Sequence, residues 1–366
     1  MRGILFINNR SSSTGIGNYG YNLFVHLKQM GQKDMDFITL QSPAEDSYDR
    51  TISFFGQKIK RMIDHLKFVR RIPRHYKIYH LLNPNLGILL LRYRPSVVTV
   101  HDIAPLKPAA SRDMITQSYG LDTPILMAMQ INMRFVRNAD RIISVSQHTK
   151  NDLASVLGLH SQRIRVVYPG TDRNLFSPRD RRKARQELHL PLNKEIILHV
   201  GVDEPRKNIQ TLIKAFYMIK KKFPKALLIR IGGMRSTTRR LISSLDLGNS
   251  ILHYQKVENT ALFYNAADLF VFPSYYEGFG FPLVEAMASG CPVIAGDSSS
   301  IPEVVGKAGI LFPPSDVKML NESICQVLTD HNMRSMMIKN GLERSLKFDW
   351  KVCAKQTLEV YETLCS

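Results

Sequence analysis

Short apolar runs alternate with longer amphipathic stretches along the whole chain. The runs are rich in Val, Ile, Leu and Phe, which is typical of buried parallel strands, and the stretches between them repeat their apolar residues at helical spacing. This alternation predicts an α/β protein with parallel sheets covered by helices. The predicted strands are residues 4–7, 97–100, 142–145, 164–167, 196–200, 227–231, 269–272 and 293–295.

The rhythm is interrupted once, between residues 173 and 193, where the chain is polar, strongly basic and contains Pro178 and Pro191. Each half opens with a strand, a turn and an amphipathic helix, and 366 residues exceed what one hydrophobic core usually serves. We expect two Rossmann-like domains that face each other across a cleft. Their expected ranges are 1–172 and 194–345, with a linker at 173–193 and a C-terminal helical segment at 346–366, whose pattern leaves open whether it returns to the first domain.

Composition changes this picture in two respects. The formal net charge of +19 indicates an anionic partner, which could be a nucleotide, a nucleic acid or a lipid surface. The four cysteines lack metal-ligand spacing and no export signal precedes them, so reduced thiols are expected. Since no run approaches the roughly 18 to 20 apolar residues of a membrane span, we expect a cytoplasmic globular protein.

Two glutamates flank a glycine-rich loop in Glu277-Gly-Phe-Gly-Phe-Pro-Leu-Val-Glu285, directly after a predicted strand. A Gly-Phe-Gly turn between a strand and a helix exposes backbone N–H groups that suit phosphate oxygens, and carboxylates suit sugar hydroxyls. Glutamates are usually solvated surface residues, and a carboxylate pair can also serve a glycosidase. The phosphate-type loop favours instead a sugar joined to a diphosphate.

Two cations, Arg206 and Lys207, lie in Gly201-Val-Asp-Glu-Pro-Arg-Lys-Asn208, after another predicted strand. We expect them to begin a helix, where their charges add to the positive helix end and attract a diphosphate. A basic first turn that faces solvent is the alternative.

In the first half, four candidate residues lie after strands, where open α/β sheets bind their ligands. His101 follows the strand at 97–100 and could hydrogen-bond a sugar hydroxyl, although a lone histidine is more often structural. Its neighbour Asp102 could orient the ring or the loop. Gly15 and Gly17 lie in the loop after the first strand, where they permit either a tight turn or close approach of a ligand.

The stretch from Lys58 to Lys77 carries apolar residues at helical spacing with Lys and Arg around them. A solvated helix whose apolar stripe packs inward explains this pattern. A basic amphipathic helix can also lie on an anionic membrane, where each nearby Lys or Arg contributes about 1 kcal/mol. Given the charge of the whole chain, we expect contact with an anionic membrane surface.

Taken together, these motifs resemble the retaining glycosyltransferases of family four, which have the GT-B fold. The resemblance follows family order over nearly the entire chain. It is carried by the motif from Glu277 to Glu285 and by Glu204-Pro-Arg-Lys-Asn208, Val100-His-Asp102, Ser144-Val-Ser146, Val167-Tyr-Pro-Gly-Thr-Asp172 and Ser300-Ile-Pro-Glu-Val-Val305. It implies transfer of a hexose from a nucleoside diphosphate sugar to an acceptor hydroxyl, with the anomeric configuration retained and with no metal or other cofactor.

The resemblance also implies roles for individual residues. The first domain would bind the acceptor and the second the donor, with Glu277 at the donor sugar and Glu285 at the ribose. The departing phosphate would itself take the acceptor proton, so no general base is implied. The implied catalytic residues are Glu277 and His101, and the implied donor-binding residues are Arg206, Lys207, Gly280, Phe281, Glu285, Gly15 and Gly17.

Two positions depart from the family pattern: Val202 stands where many members have Arg, and Thr14 where many have Gly. The His-Asp loop with Glu-Pro-Arg-Lys-Asn looks most like the mannosyltransferase-type members that build bacterial surface polysaccharides. This favours GDP-mannose as donor and a lipid-linked oligosaccharide as acceptor at the inner face of the cell membrane. The alternatives are a UDP-sugar donor, a phosphorylase or epimerase on the same architecture, or a basic nucleic-acid-binding protein, for which the sequence offers no aromatic platform.

Overall fold

A computed structural model describes residues 2–9, 15–39, 72–107 and 123–365. The chain divides into two compact units, each built on one parallel sheet. The first unit comprises Met1–Leu106, Asp122–Pro169 and Trp350–Ser366, and the second comprises Lys107–Leu121 and Gly170–Asp349.

The sheet of the first unit has six strands in the order β2-β1-β3-β4-β5-β6. Its core contains Leu5 from β1 and Val98 from β4, both fully buried. The neighbouring positions of these strands are apolar as well, because helices cover a parallel sheet on both faces. The strands are β1 (Arg2–Asn8), β2 (Met35–Thr39), β3 (Tyr76–Leu81), β4 (Ser96–Val100), β5 (Arg141–Ser144) and β6 (Ile164–Val166).

Among the described residues, three helices of the first unit lie between these strands. They are α1 (Gly15–Gln29), α2 (Thr123–Arg134) and α3 (Gln147–Leu157). Local sequence signals set the ends of α3. The Ser146 side chain accepts a hydrogen bond from the Thr149 N–H at its start, and Gly158 ends it in a left-handed conformation with φ of 63°.

The sheet of the second unit also has six strands, in the order β12-β11-β10-β7-β8-β9. The strand order reverses between β7 and β10, the two middle strands, and Ile197 of β7 and Leu269 of β10 belong to the core. The strands are β7 (Ile196–Val200), β8 (Leu227–Ile231), β9 (Ile251–Tyr254), β10 (Leu269–Phe272), β11 (Val293–Gly296) and β12 (Ile310–Phe312).

Helices of the second unit cover this sheet, and α5 buries an apolar face that includes Leu212 and Phe216. The helices are α4 (Arg181–Glu187), α5 (Ile209–Lys222), α6 (Ser236–Ser244), α7 (Thr260–Ala266), α8 (Phe281–Ala288), α9 (Ile301–Val305), α10 (Val317–Thr329) and α11 (His331–Ser345). Among the described residues, no helix has the length and apolar content that a membrane crossing requires.

The chain ends in α12 (Trp350–Cys365), which belongs to the first unit. Its Trp350 ring lies 5.7 Å from the Tyr19 ring of α1. Its Tyr361 hydroxyl lies 2.6 Å from Nδ1 of His80 on β3. These contacts join the last helix of the chain to its first helix and third strand.

Two local predictions need correction. Arg206 and Lys207 do not begin a helix: they lie in a 3-10 turn at Pro205–Lys207, and α5 begins only at Ile209 because Asn208 adopts a left-handed conformation with φ of 55°. Gly15 and Gly17 lie inside the first turn of α1, not in a loop before it. Helix α1 packs closely on the unit, since a Cβ at Gly20 would lie 2.5 Å from Leu82.

Two further predictions concern the basic stretch at residues 58–77 and the linker at residues 173–193. Residues 58–71 of the basic stretch lie outside the described residues, and its last two, Tyr76 and Lys77, belong to β3. Alternation explains this assignment, because Tyr76 and Ile78 are buried whereas Lys77 is exposed. The segment 173–193 contains α4, whose Arg185 forms a 2.7 Å ion pair with Asp268 of the second unit.

Candidate active site

The candidate site of the second unit lies where its strand order reverses. The loop after β7 carries Arg206 and Lys207, and the loop after β10 carries Glu277. Strands β7 and β10 are neighbours in the sheet, so their carboxyl ends bring these two loops together. In open α/β sheets this position is the usual ligand site.

Four charged side chains form a cluster there. The Lys207 Nζ lies 2.7 and 2.8 Å from the two carboxylate oxygens of Glu277. The Arg206 Nη1 lies 3.3 Å from the same carboxylate, and its Nε donates a 2.7 Å hydrogen bond to Glu204. We call Glu204, Arg206, Lys207 and Glu277 the switch-point cluster. It contains two cations and two carboxylates.

Burial and charge act in opposite directions on the cluster. Burial alone would raise the pKa of Glu277, but the charges of Lys207 and Arg206 outweigh it, and the pKa lies below its usual value. Burial lowers the pKa of Lys207, while the Glu277 carboxylate opposes that effect. Glu277 is therefore ionised at neutral pH.

Serines after β11 hold the loop that carries Glu277. The Glu277 N–H donates to Ser299 Oγ at 2.9 Å. The Ser300 hydroxyl lies 3.0 Å from the Glu277 carbonyl oxygen and 3.1 Å from that of Phe279. The loop ends at Gly280 with φ of 103°, a conformation that L residues rarely adopt, and α8 begins at Phe281. The backbone of the glycine loop is thus fixed by its neighbours.

Glu285 has a different environment from Glu277. It lies on α8, and its carboxylate accepts a 3.0 Å hydrogen bond from the hydroxyl of Tyr264 on α7. Burial raises the pKa of Glu285 to about 7, although the Tyr264 hydrogen bond acts in the other direction. This carboxyl group titrates close to neutral pH.

Asn208 ties the site loops to one another. Its side-chain amide donates to the Pro273 carbonyl after β10 at 3.0 Å and to the Pro314 carbonyl after β12 at 2.6 Å. In addition, the Tyr275 N–H donates to the Arg206 carbonyl at 2.7 Å. Backbone and amide contacts therefore set the distance between the cationic turn and the Glu277 loop.

A pocket of about 360 Å³ opens beside the switch-point cluster. Its lining includes Asp203 and Glu204 from the loop after β7, Arg235 after β8 and Tyr275 after β10. Its volume falls within the usual range for small-molecule sites. The pocket can accept a ligand with both hydrogen-bond donors and acceptors.

The first unit contains the remaining candidate residues. His101 follows β4, as predicted, and is 8% exposed. Its Nε2 lies 3.0 Å from the Leu82 carbonyl oxygen and must donate to it, so the neutral ring keeps Nδ1 as an acceptor. Burial lowers the pKa of His101 to about 4, which keeps the ring uncharged at neutral pH. Asp102 accepts a hydrogen bond from the Ala104 N–H at 3.1 Å and thereby shapes the loop.

The structure thus brings Arg206, Lys207 and Glu277 together and places Gly280 and Phe281 at the start of α8. His101, Gly15 and Gly17 belong to the other unit. Across the described ranges, no group of three or more His, Cys, Asp or Glu side chains is placed to hold a metal ion. Metal-independent chemistry stays a prediction.

Sequence reasoning missed several residues that build the site. Tyr264 and Ser299 lie far along the chain from the glutamates that they contact, and neither belongs to a motif with a known spacing. Arg230 did carry a signal, because it is the one charged residue in the apolar strand Leu227–Ile231. A charged side chain in a buried strand needs hydrogen-bond partners, so its position alone indicates a structural or functional role.

Two six-stranded parallel sheets, each with its own covering helices, and a charged cluster at the strand reversal define a two-domain GT-B glycosyltransferase. The chain matches two family profiles in succession: "Glycosyltransferase Family 4" over residues 13–175 and "Glycosyl transferases group 1" over residues 180–344. D-inositol 3-phosphate glycosyltransferase of Corynebacterium efficiens is 31% identical over 317 residues, which span 81% of this chain and 73% of that one.

Two other comparisons span nearly the entire chain. O-antigen chain mannosyltransferase B of Escherichia coli is 27% identical over 383 residues, 96% of each chain. The solved structure of sucrose-phosphate synthase from Thermosynechococcus elongatus matches with a TM-score of 0.77 and 24% identity, covering 100% of this chain and 99% of that one, and shows the shared fold. The chain therefore belongs to the family-four glycosyltransferases and is a hexosyltransferase.

Proposed function

We propose that the chain transfers mannose from GDP-mannose to a hydroxyl of a lipid-linked oligosaccharide, with retention of configuration, during assembly of a surface polysaccharide. The similarity to an O-antigen chain mannosyltransferase over 96% of both chains supports the sugar and the acceptor class. The observation that carries the proposal is the switch-point cluster, in which Lys207 contacts Glu277 at 2.7 Å at the ligand edge of the second sheet.

The cluster suits an activated sugar because it combines both kinds of group that such a donor needs. Lys207 and Arg206 can stabilise the negative charge that develops on the departing diphosphate. Glu277, which is buried and ionised, can accept hydrogen bonds from sugar hydroxyls. Glu285 can do the same for the ribose, and the backbone N–H groups at Gly280 and Phe281 would bind the donor as well.

Transfer then exchanges one bond at the anomeric carbon. The bond from that carbon to the diphosphate oxygen breaks, and a bond to the acceptor oxygen forms on the same face of the ring. The acceptor proton passes to the leaving phosphate oxygen. His101 can only accept a hydrogen bond through Nδ1, so its proposed role is to hold a sugar hydroxyl, not to supply charge.

We place this reaction at the inner face of the cell membrane. A lipid-linked acceptor is presented at a membrane surface, and a chain with a net charge of +19 is attracted to anionic lipid. The protein would act there as a peripheral membrane enzyme that needs no bound cofactor and has no nucleic acid partner.

Ligand-dependent thermal stability tests the donor. A ligand that binds the native state raises the melting temperature according to its concentration relative to Kd. GDP and GDP-mannose should raise it, whereas UDP, ADP and their sugars should leave it unchanged at equal concentration. Stabilisation by UDP and a UDP-sugar alone would replace GDP-mannose with the competing donor class.

The substitution Glu277→Gln tests the role of the cluster. It leaves Lys207 and Arg206 buried with less compensation, and breaking a buried ion pair costs about 3–5 kcal/mol of unfolding free energy. Sugar transfer should be abolished at temperatures where the variant stays folded. Glu322→Gln is the matched control, since Glu322 pairs with Lys318 at 3.9 Å on the exposed surface, and should cost less than about 1 kcal/mol. Full transfer by folded Glu277→Gln would remove this residue from the mechanism.

A further inference from the structure

Arg230 is fully buried in the second sheet. It lies on β8 opposite His199 of β7, and its guanidinium donates to backbone carbonyl oxygens. Its Nη2 contacts the Gly233 oxygen at 2.7 Å, and its Nη1 contacts the oxygens of Gly201 and Ile231. The Arg230 side chain thus joins the loop after β7 to the loop after β8 by hydrogen bonds from inside the sheet.

The two loops approach each other closely at this point. Gly232 has φ of 119°, and a Cβ there would lie 2.2 Å from the Gly201 oxygen. The Gly201 N–H donates to the Ile231 oxygen at 2.9 Å, and the Asp203 N–H donates to the Gly233 oxygen at 3.1 Å. The loop after β7 continues directly into the switch-point cluster, so Arg230 supports the base of that cluster.

Among the described residues, no carboxylate is in contact with the Arg230 guanidinium. Within the described part of the chain, Arg230 forms no ion pair, and its Nε lacks a hydrogen-bond partner. The carboxylate whose charge acts on it is that of Asp203, which instead accepts a 2.8 Å hydrogen bond from the Arg235 N–H. Burial lowers the pKa of Arg230 to about 10, so the group is still charged at neutral pH.

Arg185 provides a contrast within the same unit. It is also buried and also donates to carbonyl oxygens, but its Nη2 forms a 2.7 Å ion pair with Asp268. Asp268 also accepts from the Ile196 N–H, which begins β7, so this ion pair lies at the amino ends of the strands. The ion-paired arginine therefore lies at the amino edge of the sheet, and the arginine without an ion pair lies at the carboxyl edge, where ligands bind.

The charge balance of the switch-point cluster adds a reason for this difference. Arg206 and Lys207 are already in contact with Glu204 and Glu277, so the four side chains sum to zero. A further positive charge near this cluster would therefore favour the binding of a diphosphate. The pKa of His199, which lies beside Arg230, indicates a positive environment. Burial lowers this pKa, and the charges of Arg230 and Lys207 lower it further, to well below the usual value.

We propose that Arg230 is a positioning residue of the donor site, which joins the loops after β7 and β8 and supplies, without an ion-pair partner, a positive charge for the diphosphate of the donor. This inference rests on the proposed use of a nucleoside diphosphate sugar. Val202, which follows Gly201, is uncharged and 57% exposed, so that position contributes no cation to the same loop.

Titration calorimetry with a ligand series of decreasing charge tests the proposal. GDP, GMP and guanosine, or the uridine series if UDP is the stabilising nucleotide, are titrated into wild-type protein, Arg230→Met and the control Arg185→Lys. Arg230→Met should weaken diphosphate binding roughly tenfold, because the lost interaction is with charge, and should leave nucleoside binding unchanged. Arg185→Lys should leave the ratio of diphosphate to nucleoside affinity as in the wild type.

Arg230→Lys gives a second readout that a purely structural role would not produce. A buried lysine has a lowered pKa, so raising the pH above 7.5 should neutralise it and weaken diphosphate binding, while the wild type, charged over this range, should change less. His199, Asp203 and Lys207 are present in both proteins, so the difference between the two profiles belongs to position 230. This variant also serves if Arg230→Met does not fold.

The outcomes separate this inference from the proposed function. Equal losses of affinity for diphosphate, monophosphate and nucleoside in Arg230→Met would overturn the charge role of Arg230 alone. Identical pH profiles for Arg230→Lys and the wild type would do the same. If the wild-type protein binds neither GDP nor UDP, both proposals fall together.

Discussion

Two glutamates of one motif have opposite pKa shifts because their neighbours differ. Burial by itself would raise the pKa of both. The charges of Lys207 and Arg206 nevertheless bring the pKa of Glu277 below its usual value, whereas Glu285 has the neutral hydroxyl of Tyr264 beside it and its pKa stays raised. Glu277 therefore stays ionised when the protein is acidified moderately. Glu285, with its pKa raised to about 7, changes its charge within the physiological range.

This shift predicts a pH dependence of stability. Between the ordinary glutamate pKa of about 4.5 and about 7, the native state binds more protons at Glu285 than the unfolded state, so the unfolding free energy should fall as the pH rises through this window. Urea denaturation at a series of pH values measures it. The variant Glu285→Gln should lose this contribution, and parallel profiles for the two proteins would contradict the shift.

At the residue scale, motif spacing indicated the charged residues of the switch-point cluster but not the side chains that contact the glutamates. Glu277, Arg206 and Lys207 stand in short motifs that combine glycine or proline with charge, and their contacts follow from two neighbouring loops. Tyr264, which sets the environment of Glu285, lies on α7 in a run without functional pattern. A hydrogen bond between two helices has no local signature in either of them.

Among the elements, the start of α8 depends on one glycine. Gly280 has φ of 103°, and a Cβ there would lie 2.9 Å from the Leu283 side chain. We expect Gly280→Ala to cost about 1–3 kcal/mol of unfolding free energy through backbone strain. Gly248→Ala is the control, because Gly248 has open space around it, and its effect should stay within about 1 kcal/mol. Equal melting temperatures for the two variants would contradict this account.

The last helix, α12, is joined to the first unit by a buried polar contact. Tyr361 is 3% exposed, and its hydroxyl pairs with His80, whose other nitrogen lies 2.8 Å from Thr99 Oγ1. Tyr361→Phe should cost about 1–3 kcal/mol of unfolding free energy, because it leaves a buried imidazole nitrogen unsatisfied. Tyr217→Phe, on the exposed face of α5, should cost less than about 0.5 kcal/mol in the same denaturation experiment. A similar loss in both would assign the effect to the aromatic substitution itself.

The predicted elements were correct where a strand is apolar and central, as at Ile196–Val200 and Leu269–Phe272. The strands that the pattern did not show are mostly at sheet edges or are mixed in polarity, such as Met35–Thr39 and Ile251–Tyr254, whose burial is partial. An edge strand is covered less and needs fewer apolar residues. Its place in the sheet depends on pairing with the neighbouring strand, which the polarity pattern of the edge strand itself does not show.

At the scale of the whole molecule, the net charge of +19 predicts binding to anionic lipid. The protein should co-sediment with vesicles that contain phosphatidylserine and not with neutral vesicles, and added salt should weaken the binding. If the basic stretch from Lys58 to Lys77 makes the contact, charge reversal at Arg70, Arg71 and Arg74 should weaken it more than reversal at Lys214, Lys221 and Lys222, which are exposed on α5. Equal effects of the two triple variants would show that total charge alone governs binding.

The sequence by itself determined the class of the protein, because the alternation of strands and helices and the spacing of charged residues in the glycine-rich motifs are local properties. Only the tertiary structure decided the order of the strands, and with it the pairing of Lys207 with Glu277 and the position of Arg230 beneath two loops. Each of these depends on which strands become neighbours. That choice is made by burial over the whole unit, and no short stretch of the chain contains it.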